Sequence, residues 1–117
     1  MVTHFRATAA THDRDVYRAI SDPTRRAILD RLRRGPEPVN SLASHFSQSR
    51  PAISKHLRVL RAAHLVCEHR AGRERRYSLE PEPLRGVARW VDEYRAFWLT
   101  NLNNLKRRLE SETGGRR

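Results

Sequence analysis

"SQSRPAISKHLRVL", residues 47–60, decides how the chain is put together. Ile53, Leu57 and Leu60 recur at i, i+4 and i+7, the spacing of a helix packed along one side. Ser49 suits the position that accepts from unpaired N–H groups at a helix start, and Pro51 is tolerated in a first turn. The other side carries Arg50, Ser54, Lys55, Arg58 and, one residue past the quoted stretch, Arg61. Such a helix is either solvated on its polar side or built to meet a ligand there. Its flanks separate the two.

Upstream, a short helix is predicted over Asp13–Ile20, with Val16, Tyr17 and Ile20 on one side. "SDPTRRAILDRLRRGPEP" (21–38) announces a second helix at both ends. Asp22 can cap its start and Pro23 fits its first position. Ile28, Leu29 and Leu32 form its buried stripe, Arg33 and Arg34 suit the negative end of its dipole, and Gly35-Pro36 stops it. "VNSLASHF" (39–46) predicts a short helix with Leu42, Ala43 and Phe46 inward, joined to the helix begun at Ser49 by Ser47-Gln48.

Downstream the period changes. "VCEHRAGRERRYSLE" (66–80) predicts two strands around a turn at Ala71-Gly72-Arg73-Glu74, with Tyr77 and Leu79 alternating inward. Pro81 and Pro83 close the strand. A long helix then runs from Leu84 to about Glu110, its apolar positions being Leu84, Val87, Trp90, Val91, Tyr94, Phe97, Trp98, Leu102, Leu105 and Leu109. Residues 1–12 are expected to be a flexible arm and 113–117 a flexible tail, around one domain at 13–112. The fold class is mainly α with a small β-hairpin: a winged helix-turn-helix with a long C-terminal dimerisation helix.

Composition sharpens this. The 117 residues hold 24 Lys+Arg against 13 Asp+Glu, a formal charge of +11, with only 38% hydrophobic residues. Such an excess suits a polyanion, either nucleic acid or an anionic membrane surface. It is also concentrated: Arg50–Arg76 holds eight basic residues and two acids, whereas Leu84–Glu112 holds six and four. One cysteine, Cys67, excludes an intramolecular disulfide framework and fits a reducing cytoplasm. The N-terminus lacks the apolar run of a signal peptide, and no stretch approaches the roughly 18 apolar residues of a membrane span. A cytoplasmic protein with no membrane partner is expected.

In a helix-turn-helix, the N-terminal residues of the second helix lie at base edges in the major groove. Ser49, Arg50, Pro51, Ala52, Ser54 and Lys55 hold those positions, and Arg58 and Arg61 lie farther along, where phosphates pass. Arg50 and Lys55 can donate to guanine, while Pro51 and Ala52 can meet a thymine methyl. Arg70, Arg73 and Arg75 surround Gly72 at the hairpin tip and are expected on a phosphate or a flanking minor groove. For a lone amphipathic helix a solvated face is the commoner case; the basic hairpin beside it favours double-stranded DNA. Trp90, Tyr94, Phe97, Trp98, Leu102, Leu105 and Leu109 cover a wider arc than so small a domain can bury. With Val16 and Tyr17 they form the expected homodimer interface.

Six histidines and Cys67 invite a metal site, but no paired ligand spacing appears and the last helix contains neither residue type. No nucleophile–base pair, glycine-rich phosphate loop or carboxylate pair stands out either. Neither metal, cofactor nor enzymatic activity is expected.

With these residues placed, the chain resembles the ArsR-type family of bacterial winged-helix transcriptional repressors. The matching stretches are "AISDPTRRAILDRL" (19–32), "SLASHFSQSRPAISKHLRVLRAAHLV" (41–66) and "GRERRYSL" (72–79), within a likeness covering about residues 15–110. The resemblance implies a dimeric winged helix that represses an operator, commonly its own promoter. Arg50, Pro51, Ser54 and Lys55 then match the family's base-reading positions, and Arg73 its wing. The family's arsenic and cadmium sensors carry a Cys-x-Cys-type motif on the helix before the recognition helix, where this chain has "VNSLASH". Its zinc and nickel sensors use Asp/His pairs on the final helix, which here has no His. The aromatic tail resembles a metal-independent subgroup. His64 stands in "RAAHLV" where glycine is common, and histidine tolerates the left-handed backbone required there.

The expected function is a sequence-specific, homodimeric (auto)repressor on an inverted-repeat operator. Two alternatives stay open: a winged-helix regulator answering an inducer (a metal, an oxidant or a small molecule), and a module that meets protein or structured RNA.

Overall fold

The computed structural model describes residues 13–115; residues 1–12, expected as an arm and holding His4 and His12, lie outside the described residues. The structure parts into two units between Arg85 and Gly86. In the first, α1 covers 13–19, α2 Pro23–Leu32, α3 Val39–Ala43 and α4 Arg50–Ala62. Strands β1 (Glu37–Pro38), β2 (Val66–Ala71) and β3 (Glu74–Leu79) form an antiparallel sheet in the order β1-β3-β2. A 3-10 turn at Glu82–Leu84 leads to α5, Arg85–Gly115.

The expected capping of α2 is observed. Asp22 Oδ2 accepts from the Arg25 backbone N–H at 3.0 Å, and that bond, first among the causes, holds its carboxyl below the ordinary carboxylate value. The two arginines that follow turn back on the end of α1. Arg25 Nε donates to the Ala19 carbonyl at 2.6 Å and Arg26 to that of Ile20 at 2.7 Å, satisfying carbonyls that a helix end leaves unpaired. "DPTRR" is thus a joint between two helices. Gln48 Nε2 donates to Thr24 Oγ1 at 3.1 Å, fastening the turn before α4 to the same place.

The core is aliphatic. Val16 and Ala19, the stripe Ile28, Leu29 and Leu32, then Leu42, the stripe Ile53, Leu57 and Leu60, and finally Ala63, Leu65 and Val66 are buried, and among the described residues no polar side chain is buried with them. Val16 is 1% exposed, so it belongs to this core and is withdrawn from the expected dimer surface; Tyr17, one residue and roughly 100° around the helix, is 38% exposed.

Three expectations are corrected. α3 ends at Ala43, not Phe46: Ser44 Oγ bonds the Ser41 carbonyl at 2.7 Å, and the next N–H groups tighten to i→i−3 bonds. A third strand, β1, pairs Glu37 with Tyr77 and Pro38 with Arg76, making β3 central. Tyr77 and Leu79 consequently share their half-buried state with Arg76 and Ser78 instead of alternating. The last helix runs to Gly115, so only residues 116–117 of the expected tail remain, outside the described residues.

α4 ends in a Schellman motif. The Leu65 N–H returns to the Leu60 carbonyl and that of His64 to Arg61, both at 3.0 Å, with His64 at φ 60. At the hairpin tip, Gly72 takes φ +68 in the two-residue turn foreseen from the sequence.

The second unit is the long helix, about 46 Å from end to end at 1.5 Å per residue. Along it Trp90 and Tyr94 meet edge to face at 5.1 Å, and Tyr94 and Trp98 lie 6.3 Å apart.

Replacing His64 with a β-branched residue tests the left-handed cap. His64→Val is expected to lower unfolding stability by about 1–2 kcal/mol in urea titrations, because branching at Cβ is poorly accommodated at positive φ. His64→Gly should stay near the parent.

Candidate nucleic-acid interface

The buried stripe of α4 sets what its other faces do. With Ile53, Leu57 and Leu60 inward, Arg50, Ser54, Arg58 and Arg61 follow one another at helical spacing toward the hairpin. Together with Val39, Glu68, Arg75 and Tyr77 they line a groove of about 320 Å³ between recognition helix and wing. A second hollow of about 380 Å³ adjoins it, lined by Pro38, Val39, Asn40, Arg50, Arg73, Glu74 and Arg75. Arg50 and Arg75 border both hollows. The first turn of α4 therefore stands between two basic depressions.

Ser49 caps α4, its Oγ accepting from the Ala52 N–H at 3.3 Å, which leaves its hydroxyl proton available to donate. Pro51 and Lys55 are exposed, while Ala52 is half-buried. In the hairpin, Glu68 pairs with Tyr77 and Arg70 with Arg75, so these four share one side of the sheet. Arg73 sits in the turn. On the opposite side Cys67 Sγ lies 3.0 Å from Ser78 Oγ and 3.3 Å from Glu80 Oε1.

The sequence reading missed the hub of the groove. Glu68 accepts from Arg61 at 2.9 Å and from the Tyr77 hydroxyl at 3.2 Å, both on Oε2, while Oε1 pairs with Arg75 Nε at 3.4 Å. The carboxylate is 14% exposed; the two arginines are 61% and 60% exposed. An acid among basic residues was the available signal, but its partners depend on strand register. Val39 and Asn40 were missed for the same reason, since β1 brings them to the wing.

His56, on α4, has Nδ1 3.3 Å from Arg25 Nη1 and 4.0 Å from Asp22 Oδ2, so it belongs to the α1–α2 joint. Among the described residues no three His, Cys, Asp or Glu side chains gather as a metal site requires. No described helix is long and apolar enough to cross a membrane.

A helix-turn-helix flanked by a basic β-wing is the architecture of a winged-helix DNA-binding regulator. Comparison with known proteins specifies the class. A model described as "Bacterial regulatory protein, arsR family" matches residues 22–67. The HTH-type transcriptional regulator Rv2034 of Mycobacterium tuberculosis is 42% identical over 96 residues, covering 82% of this chain and 87% of that protein. The transcriptional repressor SdpR of Bacillus subtilis is 43% identical over 77 residues, 66% of this chain and 86% of that one. Among solved structures, an ArsR-like transcriptional regulator from Rhodococcus sp. RHA1 superposes with a TM-score of 0.65 at 37% identity, covering 84% of this chain and 92% of the other. The chain belongs to the arsR family of bacterial regulatory proteins, and is a transcriptional regulator rather than an enzyme.

Burial, followed by the charge and hydrogen bond of Glu68, raises the Tyr77 phenol above its ordinary 10.0. Stability from that shift is complete below the unfolded value and is lost as pH climbs through the higher folded one. In an absorbance titration, the component removed by Tyr77→Phe should ionise above 10.0, and Glu68→Gln should bring it part of the way back.

Proposed function

We propose that the protein is a homodimeric repressor whose α4 enters the major groove of an inverted-repeat operator, its own promoter among the targets, while the wing grips the flanking backbone. The observation that carries this is the groove in which Arg50, Arg58 and Arg61 of α4 meet Arg75 of the wing. Arginine suits both guanine edges and phosphates through its planar fork of donors. Arg50, Pro51, Ser54 and Lys55 take the base-reading role, with Ser49 and Ala52 beside them. Arg58, Arg61, Arg70, Arg73 and Arg75 take the backbone.

The dimer rests on α5. Trp90, Tyr94, Phe97, Trp98, Leu99, Leu102, Leu105 and Leu109 are each between 45% and 63% exposed. So continuous an apolar surface is covered in a working protein, and a two-fold pairing covers both copies with one patch. Tyr17 of α1, itself 38% exposed, is assigned to the dimer contact as well. Among the relatives SdpR is a repressor, which favours that sign of regulation here. Cytoplasmic operation, with no membrane partner, follows from the same role.

Selection of bound duplexes from a random pool tests the operator. Enrichment of an inverted repeat with half-sites about one helical turn, roughly 34 Å, apart is expected; a pool that stays random would remove the proposal. Arg50→Ala and Lys55→Ala should relax preference at particular bases. By contrast, Arg58→Ala should leave preference intact and make the log–log salt dependence of binding shallower by about 1. Leu102→Asp is expected to shift sedimentation from dimer to monomer and to weaken operator binding with it.

A further inference from the structure

The groove between α4 and the wing holds one carboxylate among four arginines, and that carboxylate differs from those of the surface ion pairs. Glu68 is 14% exposed, whereas Glu74, Glu82 and Asp92, each paired with a nearby arginine, are 57% exposed or more. Its three partners come from two elements: Arg61 from the last turn of α4, Arg75 and Tyr77 from β3. Each arginine gives the carboxylate one nitrogen, Nη1 from Arg61 and Nε from Arg75, and stays mostly exposed. The rest of each guanidinium fork remains to donate elsewhere.

We propose that Glu68 is a positioning residue for the DNA backbone: it clamps the wing to the end of the recognition helix and sets the spacing at which Arg61 and Arg75 reach phosphates. The proposal rests on the DNA-binding role above and adds to it a residue that touches no nucleic acid. Arginine side chains carry large rotamer freedom, and most of it is surrendered on binding a phosphate. A shared, largely buried acceptor removes that freedom beforehand. Tyr77 completes the clamp from directly across the ladder, its hydroxyl holding the Glu68 oxygen that also receives Arg61.

Two physical effects of Glu68 oppose each other, which makes the clamp testable. As a negative charge it repels phosphates, so removing the charge alone strengthens binding. As an acceptor it orders two cations, so removing the acceptor weakens binding. Glu68→Gln abolishes only the charge; Glu68→Ala abolishes both.

The experiment titrates a labelled mixed-sequence duplex of about 30 base pairs, long enough for both half-sites, with the full-length parent and each variant over a series of salt concentrations. Glu68→Gln should bind at least as tightly as the parent. Glu68→Ala should bind about ten-fold more weakly than Glu68→Gln, with a log–log salt slope shallower by about 1 to 2, the loss of one or two phosphate contacts. In an Arg61→Ala/Arg75→Ala background, Glu68→Ala should have no further effect. Equal affinity and slope for the Gln and Ala variants would overturn the clamp, as would a deficit of Glu68→Ala that persists in that background. If Glu68→Ala does not fold, Glu68→Asp, which keeps the charge and withdraws the carboxylate by one methylene, replaces it and is compared with the parent: it should bind more weakly and with a shallower salt slope, and parent-like affinity and slope would overturn the clamp. Failure of the parent itself to bind duplex would overturn the DNA-binding role and the clamp together.

Discussion

Burial of three side chains on α4 underlies everything the molecule presents to its surroundings. A helix of thirteen residues, four of them Lys or Arg, is marginal by itself in water. Ile53, Leu57 and Leu60 are wholly withdrawn from solvent, where α4 packs on α2, α3 and β2. Truncating any one of them to alanine would cost about 2–5 kcal/mol, a large share of the stability of so small a core. The same burial prevents rotation about the helix axis. A slip of one residue would turn the helix by roughly 100° and carry Arg50, Ser54, Arg58 and Arg61 away from the wing. Stability and the direction of the basic face are therefore set by one apolar stripe.

The arginines serve two different purposes, and the net charge does not distinguish them. Arg25 and Arg26 close the end of α1, and Arg31 holds Glu37 at 2.6 Å where Ser41 also donates to that carboxylate. These cations build the scaffold. Those of α4 and the hairpin instead converge on open grooves, with Glu68 moderating their mutual repulsion. What makes an electrostatic footprint is the convergence, because exposed charges more than a Debye length apart are largely screened at physiological salt.

α5 carries the opposite surplus. Its aromatic residues meet one another up the helix, and its leucines continue the apolar face toward the C-terminus. The winged unit buries a purely aliphatic core and the helix exposes the large apolar side chains, so the two surpluses, basic and oily, lie on separate units.

Most of the architecture was legible in the sequence because its signals act over a few residues. Asp22-Pro23 and Ser49 with Pro51 start helices by satisfying N–H groups three residues on, and Gly72 permits a turn at its own position. The stripe of α4 is a period of its own helix. His64 was legible as a left-handed stop only through the family resemblance, in which glycine is common at that place, and the Schellman bonds of the last turn agree with it. The basic concentration at Arg50–Arg76 was visible as a count. Tertiary structure alone decided which charges meet. Pairing of Glu37 with Tyr77 joins residues forty positions apart, and the convergence of Arg61, Arg75 and Tyr77 on Glu68 needs both the hairpin register and the approach of α4. It likewise moved Val16 into the core while leaving Tyr17 outside. Local backbone preferences cannot encode such outcomes, because strand register and helix rotation are chosen by which apolar faces bury together.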